Sequence, residues 1–406
     1  MNTIVDYMIT ILAKVLNALV GLILLFVSNE FLGFEIRGQA GIILYWISMV
    51  FTVSYLSLGQ IGFKYIVIKG FNVQDVMKNL LIYNVIFLVL SLVITLSFQL
   101  FGYISEVNMG TVIILIITVP LMMLEQQLNS IYLVKYSPLD LAKTVIKSKL
   151  TVLPISIGIF YMWPTVTGFF LSNLFMYLIS VIYLYCKYNE NIFFFWRKGG
   201  FFLFDLIKDG IKYHSFNALG YVLYMQFPML YLGKIVSNYS FSQYEIAMRF
   251  LAIFSIVATS CQVIITHVFK RVSNRLDIWN EIKKVSLIYF SVSYSFVFFS
   301  YLFVVFASDF ELGKKYELSI LIFKELVWFV PFIGVAQFVP TIYLHLDRVN
   351  FSSIYNFLLG FFSLFTVIAL GTIMGESGVI FAIKLTYIFS ICLLFLMSYN
   401  SIFKRK

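Results

Sequence analysis

Long apolar runs broken by short polar connections organise this chain from end to end. Stretches of about 20 predominantly apolar residues are what a membrane-crossing helix requires. Twelve are expected, near Val5–Val27, Ala40–Val67, Asn79–Phe101, Met109–Val134, Leu150–Met162, Thr165–Cys186, Ile211–Leu232, Tyr244–Phe269, Val285–Phe306, Leu318–Leu344, Phe351–Met374 and Val379–Ser401. The fifth contains Pro154 and is separated from the sixth only by Trp163 and Pro164, so a bend or tight hairpin is expected there.

Polar residues inside these runs recur at helical spacing. In the first, Thr3, Asp6, Thr10, Lys14, Asn17, Gly21 and Ser28 fall on one face. The fourth repeats the arrangement with Thr118, Glu125, Asn129, Tyr132 and Tyr136, and the seventh with His214, Asn217, Tyr221, Tyr224, Pro228 and Tyr231. Arg249, Glu325 and Lys384 add full charges to the eighth, tenth and twelfth. An ionised group at mid-bilayer costs roughly 2.5 to 3.5 kcal/mol on insertion scales, so these charges are expected to face protein or water. Isolated Asn, Gln and Ser residues serve equally well as hydrogen-bonding glue between helices. His214, close to Lys212 and the inner end of its run, also fits a plain interfacial histidine.

Composition narrows the class. The 406 residues are 61% hydrophobic and 12% charged, against about 25% charged in soluble domains. Cys186, Cys261 and Cys392 have no metal-ligand or disulfide spacing. The net charge of +10 is concentrated in the connections after the even-numbered runs and in the tail. Arg37, Lys234, Lys314 and Lys315 fall on the other side. By the positive-inside rule both termini are cytoplasmic, and the basic excess signals membrane topology rather than nucleic-acid binding.

The inner connection 187–210 carries an aromatic and basic stretch suited to an interfacial position. It divides the chain into an expected N-terminal six-helix lobe, 1–186, and a C-terminal one, 211–406, in an all-α polytopic protein with a central cavity between the lobes. A weak internal repeat supports the division: an offset of 210 places Gly168 on Gly378, Tyr177 on Tyr387 and Ser180 on Ser390. No GxxxxGK[ST], HExxH or GxSxG pattern occurs, so neither ATP hydrolysis nor protease or serine-hydrolase chemistry is signalled, and no cofactor is expected.

Three motifs bring a family into view. The segment Glu30–Val67, closing on Ser57, Leu58, Gly59, Gln60, Ile61, Gly62, resembles the second helix of polysaccharide flippases of the Wzx type. SQYEIAMRF, from Ser242 to Phe250, is similar to that family's Gly-x-Tyr-x-x-Ala-x-Arg, with Ser242 replacing the usual glycine. GESGVIFA, from Gly375 to Ala382, is similar to its Gly-x-x-Gly-opened twelfth helix.

This resemblance implies the multidrug/oligosaccharidyl-lipid/polysaccharide exporter superfamily. It implies a non-enzymatic bacterial inner-membrane protein that moves an undecaprenyl-pyrophosphate-linked oligosaccharide, an O-antigen repeat unit, between leaflets. A polysaccharide polymerase and a chain-length regulator would be partners, with membrane lipids around it. Arg249 takes its substrate role from the matched motif. Lys14, Asn17, His214, Asn217, Tyr221, Tyr224 and Lys384 join it as substrate-binding candidates from stripe position, and Glu125 and Glu325 are ion-coupling candidates. A drug or cation antiporter of the same superfamily is the alternative, and would need an acidic interior; the five full charges Lys14, Arg249, Lys384, Glu125 and Glu325 lean slightly basic. A membrane-embedded polymerase, which resembles other such enzymes in carrying a large periplasmic loop, fits less well.

Overall fold

The computed structural model describes residues 3–67, 69–100, 108–188, 200–258, 275–309, 311–336 and 349–403, and in 3–18, 93–100, 275–282 and 398–403 it describes the backbone. These residues are overwhelmingly helical, and the chain divides into two compact units, 1–215 and 216–406.

In the first unit, α1 (Thr3–Tyr55) is followed by α2 (Leu58–Val67), α3 (Val73–Leu100), α4 (Met109–Lys135), α5 (Pro138–Met162), α6 (Val166–Tyr188) and α7 (Leu203–Tyr221), whose first turns complete the unit. At about 1.5 Å per residue a straight α1 would far exceed a hydrocarbon core of about 30 Å. Gly33 breaks it, with φ 74° and ψ 162°, a backbone conformation that side-chain-bearing residues rarely adopt.

The motif glycines after Leu58 have a packing role. A Cβ on Gly59 would sit 2.9 Å from the Gln127 Cα, and one on Gly62 2.9 Å from Val76, so α2 lies almost directly against α4 and α3. The α1–α2 junction is strained: Leu56 and Ser57 both take positive φ, 50° and 51°, a conformation that costs roughly 1–2 kcal/mol per non-glycine residue.

Serines and amides join the helices, as the glue reading expects. Asn84 and Gln127 exchange amide hydrogen bonds of 2.8 and 3.3 Å between α3 and α4. Ser148 meets Ser180 at 3.1 Å, and Ser172 donates to Ser156 at 2.7 Å, between α5 and α6. α5 is one 25-residue helix with Pro154 inside it, and only the three residues 163–165 separate it from α6, which packs back along it: the tight hairpin expected between the fifth and sixth runs, without a break at the proline.

Residues 187–188 of the expected interfacial linker end α6, 189–199 lie outside the described residues, and 203–210 are the opening turns of α7. That segment is pinned to the first unit. Tyr65 donates to Asp209 at 2.9 Å, Lys69 lies 3.7 Å from the same carboxylate, and Asn79 both donates to Gly200 O and accepts from the Phe202 N–H, each at 3.1 Å.

The second unit continues from α7 through a π-helical segment, Val222–Gln226, into α8 (Phe227–Ile235), α9 (Asn238–Ala252), α10 (Arg275–Ala307), α11 (Glu311–Lys315), α12 (Glu317–Leu326) and α13 (Val349–Phe403). Gly375, with φ 64° and ψ −137°, breaks α13 as Gly33 breaks α1. Beyond α12 the chain bends by 65° into Val330–Ala336. On α10, Phe299, Leu302, Phe303 and Phe306 are exposed, the outward apolar face that suits contact with lipid rather than water.

Among the described residues, seven helices are long and apolar enough to cross a membrane, or up to eight counting the bent pair, fewer than the twelve expected. Two of the seven, Leu19–Val67 and Phe351–Met397, run 49 and 47 residues through the glycine breaks, each long enough for two crossings of about 20 residues.

The paired glycines of the weak repeat share a structural cause. A Cβ on Gly168 would lie 2.0 Å from Trp163 O, and one on Gly378 2.1 Å from Leu370 O; each sits where the preceding helix end crowds the backbone.

The inferred orientation has a direct test. In a chain freed of its own cysteines, Ser237→Cys, at the exposed N-cap of α9, should react with an impermeant maleimide in intact cells. Ser273→Cys, which falls outside the described residues, should react only after permeabilisation. The reverse pattern would invert the orientation.

Candidate functional site

The richest polar cluster belongs to the second unit and is organised by the π-helical turn. Phe227 N–H bonds to Val222 O, an i to i−5 closure, which inserts one extra residue into the turn and rotates everything beyond it. Such single π-turns cluster at functional sites. Tyr224 is buried and Tyr221 stays exposed, their rings edge to face at 5.7 Å. Tyr355 and Tyr387 bring two more phenols into the electrostatic neighbourhood of Tyr224. Tyr355 donates to Ser390 O at 2.9 Å, which ties the two halves of α13 together.

Below the tyrosines, Asn217 Oδ1 accepts from Asn356 Nδ2 at 3.0 Å and from Ser352 Oγ at 3.5 Å, while the buried Asn356 Oδ1 has no hydrogen-bond partner. An acceptor left bare in a buried site costs about 1–3 kcal/mol, so a donor arriving there is favoured. Tyr355 and Tyr387 are buried like Tyr224, so Tyr221 is the phenol of this group that stays exposed; an aromatic face with a hydroxyl at its edge suits a sugar ring and its hydroxyls.

The charged candidates are less free than their sequence positions imply. Arg249 reaches the Glu245 carboxylate four residues earlier, with Nη2 and Nε at 3.2 and 3.3 Å from Oε1. The Glu245 side chain is 0% exposed and that of Arg249 46%. Lys384 donates to Glu325 at 2.7 Å. Glu125 is buried in the first unit, facing Lys149, with the Ser180 hydroxyl beside it. The expected slight basic excess of five charges therefore needs correcting: Glu245, absent from that set, neutralises Arg249.

His214 is a structural partner, its Nδ1 2.7 Å from Ser57 Oγ at the strained α1–α2 junction. Lys14 and Asn17 have helical backbone in α1, and their side chains lie outside the described residues. Cys261 and the polar row Gln337, Thr341 and His345, spaced four apart in the tenth run, fall outside them altogether.

Of the expected site residues, Asn217, Tyr221 and Tyr224 come together, Lys384 meets Glu325, and Arg249 meets Glu245. Sequence reasoning missed Glu245, Tyr355 and Asn356. The i,i+4 spacing of Glu245 and Arg249 was the available signal for the first. Tyr355 and Asn356 give none, because only the packing of α13 on α7 places them.

No protein-family model and no curated protein sequence matches this chain. Solved structures match nearly all of it. The lipid II flippase MurJ in an inward closed conformation superposes with a TM-score of 0.70 at 14% identity, covering 96% of this chain and 87% of that one. A mutant of the Vibrio cholerae MATE transporter VcmN gives 0.70 at 10% identity, over 98% and 96%. A MOP superfamily transporter from Pyrococcus furiosus, described by the reversed polarity of its binding pocket, gives 0.63 at 11%, over 98% and 96%. The fold is one that these solved structures share. At these identities the likeness concerns architecture, and the chemistry must come from the residues of this chain.

Proposed function

We propose that this chain is a bacterial inner-membrane flippase. By alternating access it carries an undecaprenyl-pyrophosphate-linked oligosaccharide, such as an O-antigen repeat unit, from the cytoplasmic to the periplasmic leaflet. Both termini are cytoplasmic in this reading, and the expected working partners are a polysaccharide polymerase and a chain-length regulator.

The observation that carries the reading is the neutral cluster of Tyr221, Tyr224, Tyr355, Tyr387, Asn217 and Asn356 around a π-turn. Its exposed Tyr221 ring and its amides suit the apolar face and the hydroxyls of a glycan. The fold shared with a lipid II flippase supports the same class of cargo. Arg249 supplies a guanidinium for a phosphate, and Lys14 a point charge, once the lipid-linked headgroup enters.

The antiporter alternative needs a carboxylate ready to take a cation. Glu245, Glu325 and Glu125 each face a cation of the protein itself, which weighs against it.

The cellular test replaces the chain in its own host. Deletion should abolish the surface polysaccharide ladder and accumulate lipid-linked repeat units on the cytoplasmic side, and the wild-type chain should restore the ladder. An intact ladder in the deletion strain, with sensitivity to cationic dyes instead, would favour the antiporter.

A further inference from the structure

A cavity in the second unit, separate from the tyrosine cluster, has no part in the proposal above. It is an open cleft of about 710 Å³ between the end of α10, the short α11 and one face of α12, a size within the roughly 300–1,000 Å³ of small-ligand sites. Glu317, Leu321 and Lys324 follow one another at steps of four and three along α12, and so share the face that lines it. Lys314 enters from α11 and Ser308 from the end of α10.

Among the described residues, Lys314 and Lys324 make no ion pair. Glu325, also in the lining, is held by Lys384 and does not compete for them. Three chemistries meet in the one space: two uncommitted ammonium groups, a carboxylate at Glu317, and an apolar wall from Leu321, which is half exposed. Lys324 stands on a helix whose opposite face, through Ile322, Phe323 and Leu326, is buried.

The geometry points to this cavity as a binding site for a glycosyl diphosphate, the headgroup of the lipid-linked cargo, on the side that the basic-residue distribution assigns to the periplasm. This rests on the flippase reading. Lys314 and Lys324 bind the phosphate oxygens, Glu317 accepts hydrogen bonds from sugar hydroxyls, and Leu321 meets the apolar edge of the first sugar or isoprene unit. The site would hold the headgroup after translocation, before its release. Phosphate oxygens are shared by two possible sources, the cargo and anionic phospholipid headgroups, and the carboxylate distinguishes them because it favours a ligand with hydroxyl donors.

The test measures binding to the full chain in phosphatidylcholine nanodiscs, using inorganic pyrophosphate and a short-chain prenyl diphosphate bearing N-acetylglucosamine. Lys314→Gln with Lys324→Gln should weaken both probes by at least about tenfold, the scale expected for losing a charged hydrogen bond, whereas the double Arg variant should retain binding. Glu317→Gln should remove only the advantage of the sugar-bearing probe. Unchanged binding of both probes to the double Gln variant overturns the site. Displacement of the sugar probe by modest phosphatidylglycerol, with no advantage from the sugar, reassigns it to phospholipid and overturns the cargo assignment. If the double Gln variant loses pyrophosphate while the wild type moves no lipid-linked glycan, the flippase reading fails and an anion site stands. If the wild type translocates and the double Gln variant binds normally, this inference fails alone.

Discussion

Arg249→Ala should abolish surface polysaccharide and lower the stability of the purified chain by about 3 kcal/mol, the lower end of the range for breaking a buried ion pair. The stability loss comes from Glu245, which is fully buried and would lose its charge partner. The exposure of Arg249, at 46%, keeps the cost from reaching the upper end, because water solvates its side of the pair. The two effects separate in the double variant Glu245→Gln with Arg249→Gln. That pair is neutral and retains amide hydrogen bonding, so it should recover most of the melting temperature. Transport should stay lost, because the guanidinium that meets the phosphates is gone. Full recovery of transport in the double variant would make Arg249 a structural residue, and unchanged melting in Arg249→Ala would contradict the ion pair.

Gly220→Ala should be nearly as damaging for a different reason. A Cβ at Gly220 would lie 2.3 Å from Asn356 O and 2.4 Å from Asn356 C, and one at Gly360 would lie 2.7 Å from Gly220 O. The obstructing atoms are backbone and cannot rotate away, so α7 and α13 must separate. Close helix approach through small residues is a principal source of packing between membrane helices, and forced overpacking costs roughly 1–3 kcal/mol or more. The expected loss is at the upper end, with a fall in detergent-extracted yield. It should also disorder the contact between Asn217 and Asn356 directly beside the crossing. Gly158→Ala on α5 is the control: nothing lies within 4 Å of the added carbon, and alanine should gain up to about 1 kcal/mol in helix propensity. Equal melting temperatures for the two variants would refute the backbone crossing.

The apolar runs made the helices legible because every crossing must satisfy its own backbone within a greasy segment. The breaks inside α1 and α13, at Gly33 and Gly375, fall in the gaps left between expected runs, 28–39 and 375–378. Their reasons, positive φ at Gly33 and Gly375 and close approach at Gly59, Gly62 and Gly378, emerge only from coordinates.

The site was legible in part. The stripe through Asn217, Tyr221 and Tyr224 anticipates the ring contact of the two tyrosines, but a constant 3.6-residue period cannot anticipate the extra residue of the π-turn, beside which Tyr224 is buried and Tyr221 exposed. Arg249 was visible as an intramembrane charge, while its partner one turn back passed unnoticed inside the same motif. His214 shows the limit of stripe reasoning: the phase that groups it with Asn217 also brings it to Ser57, whose strained backbone it helps to hold.

Reconstitution tests the central claim most directly. Purified chain in liposomes should carry a fluorescent polyprenyl-diphosphate-linked oligosaccharide from one leaflet to the other, read as loss of protection from a membrane-impermeant quencher. The movement should be absent with Arg249→Ala and should not occur for a polyprenyl monophosphate lacking sugars. Liposomes that leave the glycolipid in place while exchanging an organic cation for protons or sodium would contradict the account.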